Sequence, residues 1–183
     1  MTQKKRLRPL WVILHWLMAL LVFVTFGIGL LNLVNTPNTD AKLAPLGVHM
    51  AFGVMLLLLV IARYGLRLLV FKPPQRAASA PSPKRLILLD RLTPYVHILL
   101  YFCTGLMALL GIFIAFPADL FSIVWGRSGA PLPTDFYIYP ARAWHGALSL
   151  VLALLIAQHV LAAIYHQFIK GENYLGRMWF NKK

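Results

Sequence analysis

One cysteine, Cys103, stands in 183 residues. No disulfide can form within the chain, and cysteine-based zinc or iron–sulfur sites are excluded with it. The Cys-x-x-Cys-His signature is absent, so covalent c-type haem attachment is excluded too. Acidic residues are nearly as scarce: 5 Asp and Glu against 18 Lys and Arg, a net charge of +13. Charges of both signs make up only 13% of the chain, and 60% is hydrophobic. That balance excludes a disordered chain and is unusual for a soluble domain. A basic excess of this size points to nucleic acid in a soluble protein. In a membrane protein it is what cytoplasmic loops collect. Hydropathy decides between the two.

Four long apolar runs are present, about Pro9 to Val34, Pro45 to Val70, Pro94 to Phe116 and Pro140 to Ile169. Each reaches the ~20 residues that cross a bilayer core. Backbone polar groups in lipid must be satisfied internally, so the runs are expected to be helices. The fold expected is an all-α membrane protein, a four-helix transmembrane bundle forming one domain over residues 1–183. Each run opens at or near a proline, which fits a first helical turn because its missing N–H costs nothing there. Lys4, Lys5, Arg6 and Arg8 precede the first run as they would in a signal peptide. That run is too long, and no small-residue cleavage site follows it before Asn32, so a retained helix is expected. Cys103 falls inside an apolar run, where it reads as a small buried side chain.

Loop charges orient the bundle. The N-terminal tail, the segment from Arg63 to Arg91 and the C-terminal tail together hold 15 of the 18 basic residues. The other side has Lys42, Arg127 and Arg142, balanced by Asp40, Asp119 and Asp135. Both termini are therefore expected in the cytoplasm, and nucleic acid drops out as a partner. Phe71 to Lys84, rich in Pro, Ala and Ser, reads as a flexible cytoplasmic loop. Pro117 to Tyr139 reads as a short interfacial segment followed by an irregular lid on the outer face. Trp125, Tyr137 and Tyr139 there suit a membrane–water boundary.

Six histidines, His15, His49, His97, His145, His159 and His166, all fall within or at the ends of the apolar runs. An ionisable residue at membrane depth is costly and marks function. His49 and His145 lie four and five residues into helices that start outside, so they share an outer layer. His15 lies six residues into a helix that starts inside. His159 follows His145 by 14 residues, which is ~21 Å of helix and close to four whole turns. It therefore reaches the level of His15 on the same helix face. Two layers of facing imidazoles are what two bis-histidine haems require, and a site without an open position favours electron transfer. Zinc would need three or four convergent ligands, and no carboxylate stands at membrane depth to help. On geometry alone His97 or His166 could replace His159 as the partner of His15. The ~21 Å spacing favours His159, because it keeps both haems within the bilayer. Gly27, Gly29, Gly47, Gly53, Gly105, Gly111 and Gly146 would admit a flat macrocycle or a neighbouring helix.

Leu14-His15-Trp16-Leu17, the lone His49 opening the second run, Trp144-His145-Gly146 opening the fourth, and His159 fourteen residues on make a set. Together with helix number and loop lengths, this set resembles the bacterial cytochrome b561 family over nearly the whole chain. The resemblance implies two haem b groups in the bacterial inner membrane, the outer ligated by His49 and His145, the inner by His15 and His159. It also implies an oxidoreductase that takes electrons from a periplasmic-side donor, superoxide in one member type, and gives them to ubiquinone. Other relatives of that family link a partner dehydrogenase or hydrogenase to quinone, which implies a periplasmic or membrane redox partner instead.

Further roles follow from position. Superoxide is an anion, so Arg142, three residues before His145, is expected to steer it or to pair with a haem propionate, with Lys42 and Arg127 as neighbours. His97 is expected at a propionate or a quinone carbonyl. A quinone cleft open to lipid would draw on His97, Arg91, Arg63 and Arg67, with Trp11, Trp16 and Tyr95 as walls.

Overall fold

The computed structural model describes residues 3–70, 84–172 and 174–179. Helix α1 covers Gln3–Gly27 and runs on through a π-helical turn, Ile28–Leu33. A 3₁₀ turn, Asp40–Lys42, leads into α2, Leu43–Val70. Helix α3 covers Lys84–Ala115. Helix α4 covers Pro140–Ile164, continues through a π-helical turn Tyr165–Ile169, and is followed by the short α5, Tyr174–Arg177. Four spans within these helices are long and apolar enough to cross a membrane: Pro9–Leu33, Asp40–Arg67, Tyr95–Ala115 and Pro140–Ile169. No strand occurs among the described residues. The expected all-α, four-helix membrane architecture is therefore what the chain adopts.

The helices pack in chain order, α1 on α2, α2 on α3 and α3 on α4. Their outer faces are as apolar as their contacts. Leu20, Phe23, Leu58, Ile61, Phe102, Leu154 and Phe168 all point away from the bundle. In lipid no hydrophobic force drives helices together, so close approach depends on small side chains. Gly105 on α3 is an example: a Cβ there would lie 3.7 Å from Val60 on α2.

Three local expectations change. Pro9 lies inside α1, which starts six residues earlier, and Pro94 lies inside α3 rather than at its start. Polar residues extend both helices beyond their apolar spans. Only Pro140 takes the first helical position. Arg63, grouped by sequence with the cytoplasmic charges, is a buried residue of α2. Helix α2 continues to Val70 and keeps Arg63 inside the bundle. Of the expected flexible loop Phe71 to Lys84, residues 71–83 lie outside the described residues.

The segment 117–139 forms a packed cap. Leu120, Ile123 and Leu132 are buried with Leu46, Ala115 and Ala118, and Phe136 and Tyr139 pack on that cluster. Backbone at Asp119, Arg127 and Gly129 enters the left-handed region to turn the chain. Asn38 ties the short 35–39 connection to the cap by donating to the carbonyls of Pro133 and Thr134. Trp125 and Tyr137 stay exposed at the rim. Cys103 is buried, as expected.

Candidate functional site

One interval organises five histidines, one arginine and two glycines inside the bundle. Each long helix carries two of them 14 residues apart: His15 and Gly29 on α1, His49 and Arg63 on α2, His97 and Gly111 on α3, His145 and His159 on α4. Fourteen residues are close to four whole turns and ~21 Å. Each pair therefore shares a helix face, and its members lie in separate layers. The helices alternate in direction, so Gly29, His49, Gly111 and His145 form a layer at the end carrying the cap. His15, Arg63, His97 and His159 form a layer at the end where the termini meet.

In the cap-side layer the rings of His49 and His145 face each other across the bundle with centroids 6.2 Å apart and planes at 62°. The glycines seat the two rings. A Cβ on Gly29 would lie 3.2 Å from His49 Cε1, and one on Gly111 would lie 3.6 Å from His145 Cε1. His49 Nδ1 stands 3.1 Å from the Thr25 carbonyl. A carbonyl only accepts, so Nδ1 carries the proton and Nε2 keeps its lone pair for a metal. His145 Nδ1 is buried and has no partner in hydrogen-bond geometry.

Both rings line a cavity of about 670 Å³, within the roughly 300–1,000 Å³ common for bound cofactors. Gly53 and Gly146 also line it, and nothing stands within 4 Å of a Cβ on Gly53. Two cations, Lys42 and Arg142, and one carboxylate, Asp135, edge the same cavity. Lys42 is buried and donates to Asn38 Oδ1 at 2.6 Å. The Arg142 guanidinium lies 5.0 Å over the Tyr137 ring. Arg127, expected beside them, is exposed on the cap and does not line the cavity.

In the termini-side layer His15 and His159 have centroids 6.3 Å apart at 67°. His97 lies edge-on to His159 at 5.1 Å. His166 is elsewhere. It is buried in the turn that ends the fourth span, with Nδ1 2.8 Å from Glu172 Oε2. Trp16 donates from Nε1 to the Met178 carbonyl at 2.8 Å and meets Trp179 edge to face. The C-terminal segment is thus fastened to α1 one residue from His15. Tyr95 is exposed, and the side chain of Arg91 lies outside the described residues. Arg63 received little weight from sequence because it reads as a flanking charge. Its 14-residue interval from His49 was the signal that places it in the layer.

An imidazole–metal–imidazole axis fixes the distance between its two ring centres. Metal–imidazole bonds of about 2.0–2.1 Å, with ~1.1 Å from each ring centre to its nitrogen, put the centres about 6.3 Å apart. The two pairs at 6.2 and 6.3 Å have that span, while His97–His159 is too short for it. The cap-side residues, with their cavity and glycines, therefore fit a metal macrocycle held between two imidazoles, and the termini-side pair has the same ring span. Among the described residues no group of three or more His, Cys, Asp or Glu side chains converges as a bare metal ion would need.

Comparison with known proteins agrees with this geometry. A family model described as prokaryotic cytochrome b561 matches residues 6–181. No curated protein and no solved structure matches the chain significantly.

Proposed function

The chain belongs to the prokaryotic cytochrome b561 family, a family of membrane haem b electron-transfer proteins, and from that premise we propose that it is a di-haem oxidoreductase passing electrons from superoxide to ubiquinone. His49 and His145 ligate one haem, and His15 and His159 the other. Both termini face the cytoplasm of a bacterium, and the cap faces the periplasm across the inner membrane. The single observation that carries the reading is the pair of imidazole couples, each with the ring separation of a bis-histidine metal axis. The concentration of basic residues at the termini end supports the orientation.

Haem, when bound, supplies one-electron redox change at its iron. The rest is the chain's work. His49, with Nδ1–H donated to the Thr25 carbonyl, offers a neutral Nε2 in a fixed orientation. Gly29 and Gly111 let the two cap-side rings stand upright between the helices. Lys42 and Arg142, against the single carboxylate Asp135, leave the cap-side mouth a net positive field that draws an anion. His97, against His159, supports that ring or meets the quinone. The quinone is bound from lipid at the termini end, where polar side chains reach the bundle surface.

The test is a reduced-minus-oxidised spectrum of the purified protein with haem-to-protein stoichiometry. Two bis-histidine b-type haems per chain are expected. Superoxide should then reduce them rapidly, and ubiquinone should reoxidise them. A second reading has an observation of its own. The cap exposes Trp125, Tyr137 and Ile138, of which Tyr137 lines the cavity, and on such a surface a periplasmic or membrane redox partner, such as a dehydrogenase or hydrogenase, would dock. Two haems that superoxide reduces no faster than it reduces a haem protein lacking a basic mouth would select that reading.

A further inference from the structure

Arg63 is 4% exposed, on a helix that crosses the membrane. A charge at that depth is costly unless it is paired. Its Nε donates to the Tyr101 hydroxyl, and its guanidinium carbon lies 4.4 Å over the Trp11 ring. Both contacts hold the group in place, and neither supplies a negative charge. Nη1 is buried without a hydrogen-bond partner.

Among the described side chains no carboxylate is placed to take it. Asp40, Asp119 and Asp135 belong to the cap end, and both ion pairs among the described residues belong to Glu172. Asp90 lies eleven residues before Tyr101 on α3, ~16 Å along the helix. The titratable groups around it are Tyr101 on α3, which it bonds, and His15, His97 and His159 of the same layer. A planar guanidinium with an unused N–H edge is built to receive a carboxylate.

We propose that Arg63 is a carboxylate site, and that its occupant is a propionate of the haem held between His15 and His159. The inference rests on the two-layer reading above and deepens it. Arg63 takes, on α2, the position in the termini-side layer that His49 takes in the cap-side layer. It is a positioning and charge-compensating residue, not an iron ligand. With its charge in place the propionate stays ionised across the neutral range, and the ferrous state is favoured by the nearby cation.

The test is redox potentiometry of the haem-loaded protein, purified free of quinone, across neutral pH. In R63Q one haem should show a lower midpoint potential and a new dependence on pH, as the uncompensated propionate takes up a proton on reduction. The other haem should keep both its midpoint and its slope. R63K should restore the pH-independence. Two haems per chain in R63Q with unchanged midpoints and slopes would overturn the proposal. So would a change seen only after ubiquinone is added, because the occupant would then be the quinone. Should R63Q lose the haem outright, infrared redox-difference spectra of the unmutated protein and R63K, carrying haem isotopically labelled at the propionate carboxyls, decide. A carboxylate band that shifts between them supports the site, and identical bands overturn it. Fewer than two haems in the unmutated protein would instead overturn the di-haem reading itself.

Discussion

Gly29→Ala is expected to damage the cap-side site while leaving the fold at least as stable. The added Cβ would stand 3.2 Å from His49 Cε1, so the ring must retreat by a few tenths of an ångström. Retreat has a consequence. Thr25, whose carbonyl accepts from His49 Nδ1 at 3.1 Å, lies one turn before Gly29 on the same helix. Moving away from Gly29 lengthens that contact beyond the ~3.2 Å at which N–H···O bonds lose their grip. The bond itself is worth about 0.5–1.5 kcal/mol, and loss of such an outer partner typically weakens metal binding about 10–100-fold. Alanine meanwhile suits a helix better than glycine by roughly 0.5–1 kcal/mol. Gly111→Ala is the matched control, because its Cβ would meet His145 at an ordinary 3.6 Å. Haem stoichiometry and the low-spin resonance of each ferric haem read the outcome. Partial loss or a shifted signal of one haem in G29A, with G111A close to the parent protein, is expected. A parent-like G29A, or a G111A as damaged as G29A, would refute the seating argument.

Three further outcomes follow from the layers. His145→Ala should take haem content from two to one per chain and leave the signal of the remaining haem unchanged; loss of both, with the protein still folded, would deny that the layers are separate. Arg142→Ala should slow reduction by superoxide by roughly tenfold at low salt and fade as ionic strength rises, while reduction by dithionite changes less; equal slowing by both reagents removes the steering role. His97→Ala should retain both haems and shift only the signal of the termini-side haem, because 5.1 Å to His159 suits a supporting ring and is too short for a ligand pair; loss of that haem would make His97 its ligand.

Helix number, span limits and the two depths of imidazole were legible in the chain because lipid makes strong demands. A run of about 20 apolar residues has few alternatives, and a histidine within it needs a reason. The fourth span, expected from Pro140 to Ile169, has those limits in the structure. What sequence left open was rotation about the helix axes. His97, His159 and His166 all stood at depths that could serve His15, and depth cannot say which way a ring points. The structure adds that orientation: the His15 and His159 rings stand 6.3 Å apart, the span the proposed ligand pair needs, and His166 is turned onto Glu172. Arg63 was hidden for a different reason. The second run, expected to reach Val70, already contained Arg63, but its charge counted with the flanking cations, and only the packed structure shows the side chain buried.

The two layers differ in a way that suits the proposed reaction. At the cap end, α1 and α3 contribute glycines, α2 and α4 contribute imidazoles, and the cations Lys42 and Arg142 outnumber the one lining carboxylate, Asp135. Oxidising superoxide to dioxygen needs an anion guided in and an electron taken out, with no proton delivered. A tight, positively rimmed site is sufficient for that. At the termini end α1 and α3 contribute imidazoles where the cap end has glycine, and α2 brings an arginine bonded to a tyrosine. Reducing a quinone takes up protons as well as electrons, so the proposed reaction needs titratable groups near its quinone. Helix α4 alone supplies an imidazole to both layers, 14 residues apart. Three of the four helices change residue type between the layers, and α4 is the one that does not; under the proposed reaction it is the element common to electron entry and exit.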